Sequence, residues 1–545
     1  MALIDISIFK GEIPRLSAKK LPDGYAVQAV NCDFSSGGLR PAPGVSFVEE
    51  IGDSVRSIFK LAGSWLKWAA IVSVVRSLIY NSGGRILVSD DGYPKETNEA
   101  LALAATPYPY TTRRLGIPAP TNALTIVLNG TAGSDVIRSC SYVYTIVGAW
   151  EDGSAVESAP SHPTGNFDIH DGITPSLTGF TNSTAAGVFT THFRIYRLNS
   201  GTSGASFQYV DEIPIGSTQY DDTVPDDSLG EVLPTADPND SLMWDAPIDE
   251  LSGLKSTANG LVFGFYKNRV YPSAVFTEYA FPSKYLIPTE SDVVGFGTID
   301  NTVFAFTKTR PYMIYGNDPA ILSSKPLSFF QACVSARSIV GVPGGVIVAT
   351  PDGLYLFDSN GNPTNLTSHL YTPKQWKALN PGLIFAFYYN EKYLAFFSGT
   401  KTGLEIDFSE NELKHYSLPQ KVYGGYYDPE DDTLYLIQAR DPEVTREIVS
   451  WETGADLSYT WSKLFAFSQK QRLAAYRLDG DFSLGSVTMK LKENGVEIYS
   501  TAVTSDEPAR FPKGVSMRNI LVELSGTAGI DRVVIGQSME EVLNG

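Results

Sequence analysis

Cysteine is scarce in this chain: Cys32, Cys140 and Cys333 are the three in 545 residues. They lie far apart, make no C-x-x-C, and their odd number does not suit a disulfide framework. The expectation is three buried thiols in a chain folded in a reducing cytoplasm. Histidine is thin as well. The five residues His162, His170, His192, His369 and His415 are scattered, few for a protein of this size that works by acid–base or metal chemistry. Basic charge is in deficit, with 42 Lys and Arg against 60 Asp and Glu and a net charge of −18. Phosphate contacts need clustered Lys and Arg, so the average surface does not bind nucleic acid. DNA passing such a surface would be repelled and slide, although a local basic patch stays open. Long hydrophobic runs are absent. The longest, about Trp68 to Val75, sits between Lys67 and Arg76 and is far too short to span a bilayer. The opening MALIDISIF has no basic stretch before an apolar one, so no signal peptide is expected. The expectation is a soluble chain.

Catalytic signatures are missing too. The sequence holds no G-x-x-x-x-G-K-[ST] phosphate loop, no G-x-S-x-G nucleophile elbow and no H-E-x-x-H. His162 and His170 are eight residues apart in a loop-like stretch, which reads as a solvated loop and not as a metal pair. Asp358, Asn360 and Asn362 mimic the start of a calcium loop. Pro363 takes the place of the glycine such a loop needs, and His369 that of the final Glu. A plain Asn-Gly turn is the reading adopted. The acidic groups Asp221-Asp222, Asp226-Asp227 and Glu430-Asp431-Asp432 read as solvated turns, with cation binding the alternative. No catalytic, cofactor or metal residue is assigned.

What is plentiful points to strands. Aromatics make up 12% of the chain, with 29 Tyr and 28 Phe, beside 48 Gly and 33 Pro. That mixture suits many short strands joined by tight turns. Asp91-Gly92, Asn129-Gly130, Asp152-Gly153, Asn259-Gly260, Asp352-Gly353, Asn360-Gly361, Asp479-Gly480 and Asn494-Gly495 mostly adjoin β-branched or aromatic runs, the commonest short hairpin signal. Helices are expected only at Glu96 to Ala105 and Pro373 to Leu379.

A repeat runs through the middle. NGLVFGFYKNRVYPSA starts at Asn259, NTVFAFTKTRPYMIYG at Asn301, GGVIVATPDGLYLFD at Gly344, EKYLAFFSGTKTGLEIDF at Glu391 and DTLYLIQARDPEVTREIVSW at Asp432. The starts are 42, 43, 47 and 41 residues apart. A hairpin period in the forties is the pattern of a β-propeller with one four-stranded sheet per blade. Stacked blades bury both faces, which explains apolar runs without clean alternation. Another copy fits at Leu66 to Gly92. Between it and the rest lies about Pro107 to Pro234, with alternating strands SYVYTIVGAW and THFRIYRL. These suit a half-buried antiparallel sheet and an inserted β-sandwich of fibronectin III or immunoglobulin type. The segments after Phe465 read as a second small sandwich. The expected fold is all-β: a propeller of about six blades with two sandwiches. The expected domains are an extended N-terminal docking arm over 1–44, a first blade over 45–106, the inserted sandwich over 107–242, the remaining blades over 243–465 and a C-terminal sandwich over 466–545.

The leader FKGEIPRLSAKKLPDGYAVQAVNCDFSSGGLRPAP, Phe9 to Pro43, has neither helical nor strand period. It cannot bury a core of its own, so it is a disordered tail or an arm lying on something else. Its spaced anchors Phe9, Ile13, Leu16, Tyr25, Val30 and Phe34 favour an arm that docks on its own body or on a neighbour. Phe9, Ile13, Arg15, Lys19, Lys20, Tyr25 and Phe34 are the candidate interface residues. Of these, Arg15, Lys19 and Lys20 would touch an acidic partner or DNA, or simply be solvated. Tyr423, Tyr426 and Tyr427 read as blade core, with a sugar-stacking or subunit-interface surface the alternative.

F-x-G-x-I-P-R, LPDGYAVQAVNCDF and GLRPAPG in the leader resemble the start of tail hub or nozzle proteins of short-tailed bacteriophages. SDVVGFGTIDNTVFAFTKTRPYMIYG followed by QACVSARSIVGVPGGVIVATPDGLYLF resembles their middle. So does the insertion's order of GIPAP, a Tyr-rich strand, ESAPS, FRIYRLNSG, GEVLPT and WDAP. The resemblance covers most of the chain in phrase order. It implies a virion protein made in the host cytoplasm, with a propeller body. It also implies a ring of six copies below the portal–adaptor complex, near tail fibres or spikes, and a lumen through which DNA leaves without sequence-specific binding. Some relatives carry extra domains whose functions do not transfer. Two rivals remain: a carbohydrate- or receptor-binding tail-tip protein, and a propeller glycosidase, which would need two carboxylates across a pocket. The sialidase box S-x-D-x-G-x-T-W is missing from every repeat.

Overall fold

The computed structural model describes residues 3–79, 81–201, 204–235, 244–410, 412–440, 445–483 and 485–544. The chain forms two compact units, Met1–Ile58 with Phe329–Gly545, and Phe59–Ser328. The fold is all-β. The α-helices among the described residues are Glu99–Ala102, Pro373–Ala378 and Met539–Asn544. None is long and apolar enough to cross a membrane. Glu96, expected on a helix, instead lies in the strand Lys95–Thr97, and Asn98 caps the short helix by accepting from the Leu101 amide at 3.0 Å. Thr372 and Gln375 cap Pro373–Ala378 reciprocally.

In the unit of Phe59–Ser328, three antiparallel four-stranded sheets recur. One runs Ser73–Arg76, Ile86–Ser89, Lys95–Thr97, Arg113–Arg114. The next runs Ser252–Ser256, Val262–Tyr266, Arg269–Pro272, Ile287–Pro288. The third runs Val293–Ile299, Thr302–Thr307, Tyr312–Tyr315, Ser323–Pro326. The last two share a core of Leu261, Phe263, Val303 and Ile314. The segment expected as an insertion folds into two layers. Tyr142–Ala149 pairs with Ala155–Glu157 and with His192–Gly201, which pairs with Gly204–Pro214. Thr125–Gly130, Ile173–Thr178 and Gln219–Asp221 make a second sheet, and Val136–Cys140 pairs with Phe167–His170. Tyr142, Tyr144, Ile146, Leu177, Phe193 and Ile195 fill one core between the layers. The boundary expected at 242–243 lies outside the described residues.

In the unit of Met1–Ile58 and Phe329–Gly545, the sheets continue. Val340–Val342, Gly345–Thr350, Gly353–Asp358 and Pro363–Asn365 form one. Gly345–Thr350, GVIVAT, is buried at every position, the mark of a strand covered on both faces. Ile384–Tyr389, Lys392–Phe397 and Thr400–Asp407 form another, closed by the first half of the long strand Glu412–Asp428. The ladder skips 418–421, around Pro419, which has no N–H to donate. It resumes at Val422, where the second half starts a new sheet with Thr433–Ala439 and Arg446–Gly454. The outermost strand of that sheet is Gly44–Ile51, from the other end of the chain. The first blade expected over 45–106 is therefore divided. Its opening strand completes the last sheet, 57–68 is a hairpin of its own, and the sheet begun at Ser73 closes at Arg113–Arg114, past 106.

The body expected as a C-terminal sandwich over 466–545 does not start at 466, because the strand Tyr459–Arg472 runs through that position. Nor is it made of C-terminal residues alone. Ile4–Ile6 pairs with Gly529–Gly536, placing Ile4 opposite Ile535. Gln28–Val30 pairs with Tyr459–Arg472, placing Ala29 opposite Trp461. The leader is thus part of this body and not an arm extended from it. Its apolar side chains Ile4, Ile6, Phe9, Ala29 and Cys32 share one core with Trp461, Met489, Leu524 and Ile535. A segment without its own period satisfies its backbone groups on the edges of distant strands.

Candidate interaction surface

The seven leader residues singled out from the sequence fall into two classes. Phe9 is buried, 4% exposed, with its ring 4.9 Å from that of Trp461 at 70°. It belongs to the chain's own core and is not available to a partner. Tyr25 and Phe34 are half-buried beneath lysines, with Lys10 Nζ 5.5 Å from the Tyr25 ring and Lys414 Nζ 5.8 Å from the Phe34 ring. Ile13 is half-buried and its carbonyl accepts from the Leu16 amide. Arg15 is exposed, but its backbone amide donates to Leu370 O at 2.8 Å and its guanidinium to the Ser368 carbonyl. Lys19 and Lys20 are exposed on the short 3-10 turn Ala18–Lys20. The exposed basic residues of the leader are therefore Arg15, Lys19 and Lys20, with Asp23 exposed close by.

Polar groups fasten this segment down. Glu12 is buried, and its Oε1 accepts the Ala29 amide at 2.6 Å and His415 Nδ1–H at 3.1 Å. With Nδ1 donating, His415 Nε2 accepts the Tyr371 hydroxyl at 3.0 Å. Burial raises the Tyr371 phenol well above its ordinary range, so it stays a donor. Asn31, at φ +54°, donates to the Ser417 and Ser458 carbonyls at 3.1 and 3.2 Å and accepts the Ser417 amide at 2.8 Å. A positive φ suits Asn among non-glycine residues. Glu12, Asn31 and His415 had no sequence signal, because their partners lie hundreds of residues away.

No protein-family model matches the chain, and no curated protein matches it in sequence. Among solved structures it is similar to Saccharomyces cerevisiae Sqt1, at TM-score 0.31 and 9% identity, covering 75% of this chain and 99% of that one. It is also similar to the Neurospora crassa Pan2 WD40 domain, at TM-score 0.28 and 10% identity, covering 71% and 91%. A third likeness is to apo AztD from Citrobacter koseri, at TM-score 0.27 and 10% identity, covering 59% and 89%.

The two-layered segment carries an open groove of about 370 Å³ lined by Arg194, Tyr196, Tyr209, Glu212, Gly230 and Val232. The Tyr196 and Tyr209 rings meet edge to face at 6.1 Å. Arg194 donates to Glu212 at 2.6 Å and to Glu157 at 3.0 Å, and Glu157 also accepts the Tyr196 and Thr145 hydroxyls at 2.7 Å. One guanidinium thus engages both carboxylates. Elsewhere, Asp358 folds over its own turn, its Oδ1 accepting the Asn360 and Asn362 amides at 2.9 and 2.8 Å. The Asn362 side-chain amide, which donates to Oδ2 at 2.9 Å, and then the backbone amides hold the Asp358 carboxyl below its ordinary range, and this is turn chemistry. Among the described residues no group of three or more His, Cys, Asp or Glu is placed to hold a metal ion. The three cysteines are free and buried. Tyr423, Tyr426 and Tyr427 are half-buried, with Arg446 3.9 Å above the Tyr423 ring and the Tyr427 hydroxyl on Asp432 at 2.6 Å.

Proposed function

We propose that this protein is a structural component of a short-tailed phage virion, the nozzle or hub of the tail, and not an enzyme. What carries this reading is the ordered series of phrases that resemble those of that family, from FKGEIPR through TKTRPYMIYG to GGVIVATPDGLYLF. In this reading the recurring four-stranded sheets are blades of a β-propeller, and the two-layered segment is an inserted fibronectin III-like sandwich. Support for the propeller comes from Gly44–Ile51, which completes the sheet of Arg446–Gly454, the way a propeller seals its last blade with an early strand. The function is mechanical. Six copies close a ring through a head-to-tail interface below the portal–adaptor complex. The exposed basic turn Arg15–Lys20 is the part of the leader left to meet an acidic neighbour. With a net charge of −18, a lumen lined by average surface repels phosphate and lets DNA pass. The test is electron microscopy of portal–adaptor particles incubated with the protein. A sixfold ring beneath the adaptor is expected, and undecorated particles at saturating protein would overturn the reading.

A second reading, recognition of a carbohydrate receptor, is favoured by the groove at Tyr196 and Tyr209, whose aromatic and polar lining suits a sugar. Binding on a glycan array that Tyr209→Ala abolishes would support it, and an array without binders would remove it.

A further inference from the structure

Three arginines far apart in sequence meet in the unit of Met1–Ile58 and Phe329–Gly545. Arg337 lies on the turn Ala336–Ser338, just ahead of the strand Val340–Val342. Its Nη1 donates to the Tyr423 carbonyl at 2.9 Å, and its guanidinium carbon lies 5.1 Å from the Phe385 ring centroid. Arg446 opens the strand Arg446–Gly454, covers the Tyr423 ring at 3.9 Å and donates from Nη1 to the Val55 carbonyl. Arg56 comes next in the chain after Val55. A Cβ built on Gly424 would stand 2.7 Å from the Arg56 carbonyl oxygen and 3.6 Å from Arg337 Nη1, so the Arg56 backbone and the Arg337 and Arg446 side chains converge on Tyr423–Gly424.

The grouping contrasts with the arginines of this acidic chain that sit on carboxylates. Arg40, Arg85, Arg114, Arg197 and Arg532 each meet a carboxylate. Arg337 and Arg446 instead meet carbonyls and rings, and the Arg56 side chain is exposed with no partner among the described residues. Asp53 is the carboxylate whose charge reaches Arg446. Burial, and then repulsion from Arg56, hold Arg337 and Arg446 below the ordinary arginine range. Cations gathered this way, with most of their planar N–H forks unused, match the oxygens of a tetrahedral oxyanion.

We propose that Arg56, Arg337 and Arg446 form a binding site for a phosphoryl group beside Tyr423. The group is either a free small phosphate or a phosphodiester of a nucleic-acid backbone. The site stands independently of the tail-protein reading.

The test is isothermal titration of the full chain at low salt with sodium pyrophosphate, and separately with a single-stranded oligodeoxynucleotide. Saturable binding of pyrophosphate is expected, weakened about tenfold or more by Arg56→Gln. That variant removes an exposed, unpartnered side chain and should melt like the parent. A control with Lys19→Gln and Lys20→Gln together should keep full affinity. Oligonucleotide binding that pyrophosphate displaces identifies a backbone phosphate as the source, and binding of pyrophosphate alone identifies a small phosphate. No saturable binding of either, unchanged affinity in Arg56→Gln, or equal weakening by the lysine control would each overturn the site.

Discussion

Replacing Phe9 by alanine separates a leader built into the body from a leader that reaches a neighbour. Phe9 is 4% exposed, meets the Trp461 ring at 4.9 Å and sits in the core with Ile4, Met489 and Ile535. Truncating a buried Phe costs the transfer of the ring and the cavity left behind, about 3–5 kcal/mol in cores of this kind. At roughly 2–4 °C per kcal/mol for a body of this size, the melting temperature should fall by about 6–20 °C. The loss belongs to the isolated chain and needs no partner. Chemical denaturation followed by tryptophan fluorescence reads the magnitude. Hydrogen exchange should place the loss in Tyr459–Arg472 and Ser516–Gly526, the strands of that core. Lys19→Ala, on the exposed turn, should stay within about 0.5 kcal/mol of the parent. If Phe9→Ala leaves the denaturation midpoint of the isolated chain unchanged, the leader does not complete this core and the reasoning fails.

Glu96 is 3% exposed, and burial pushes its carboxyl up to about 8 despite the charges of Arg85 and Arg113. Its folded value lies above its unfolded one, so the stability it confers is full below about pH 4.5 and is lost as pH rises towards 8. At about 1.4 kcal/mol per unit the whole effect is of order 4–5 kcal/mol. Denaturation midpoints at pH 5 and pH 8 should therefore differ, and Glu96→Gln should flatten that dependence. At the seam between Gly44–Ile51 and Arg446–Gly454, a Cβ on Gly454 would lie 2.1 Å from the Val45 carbonyl oxygen. Gly454→Ala should cost roughly 1–3 kcal/mol and expose 44–51 to limited proteolysis, which an intact seam resists. Asp358 is occupied by its own turn, so calcium or a chelator should leave the melting temperature in place; a calcium-dependent rise would contradict that.

Local features were legible in the sequence where the physics is local. The Asn494-Gly495 turn joins Val487–Glu493 to Val496–Val503 with both residues at positive φ, as an Asn-Gly hairpin requires. The strands of the two-layered segment and the helix at Pro373 sit where the sequence put them, but Tyr142–Ala149, expected to be half-buried, is buried on both faces up to Gly148. Long-range pairings were not legible. Nothing in GVSFVEEI indicates that its partner is Arg446–Gly454, because strand period reports which faces are buried and not against which strand. The same limit hid the pairing of Ile4–Ile6 with Gly529–Gly536 and the division of Glu412–Asp428 between two sheets. The leader's anchors were recognisable as apolar, but their use inside the molecule follows only from the downstream strands that receive them. Arg56, Arg337 and Arg446 carry no motif and are united by folding alone.

The proposed tail function is tested most directly by mass photometry of the purified chain, alone and mixed with portal–adaptor complexes. The account predicts a species of six protomers that forms or is stabilised on the complex. A chain that stays monomeric and ignores the complex would contradict it.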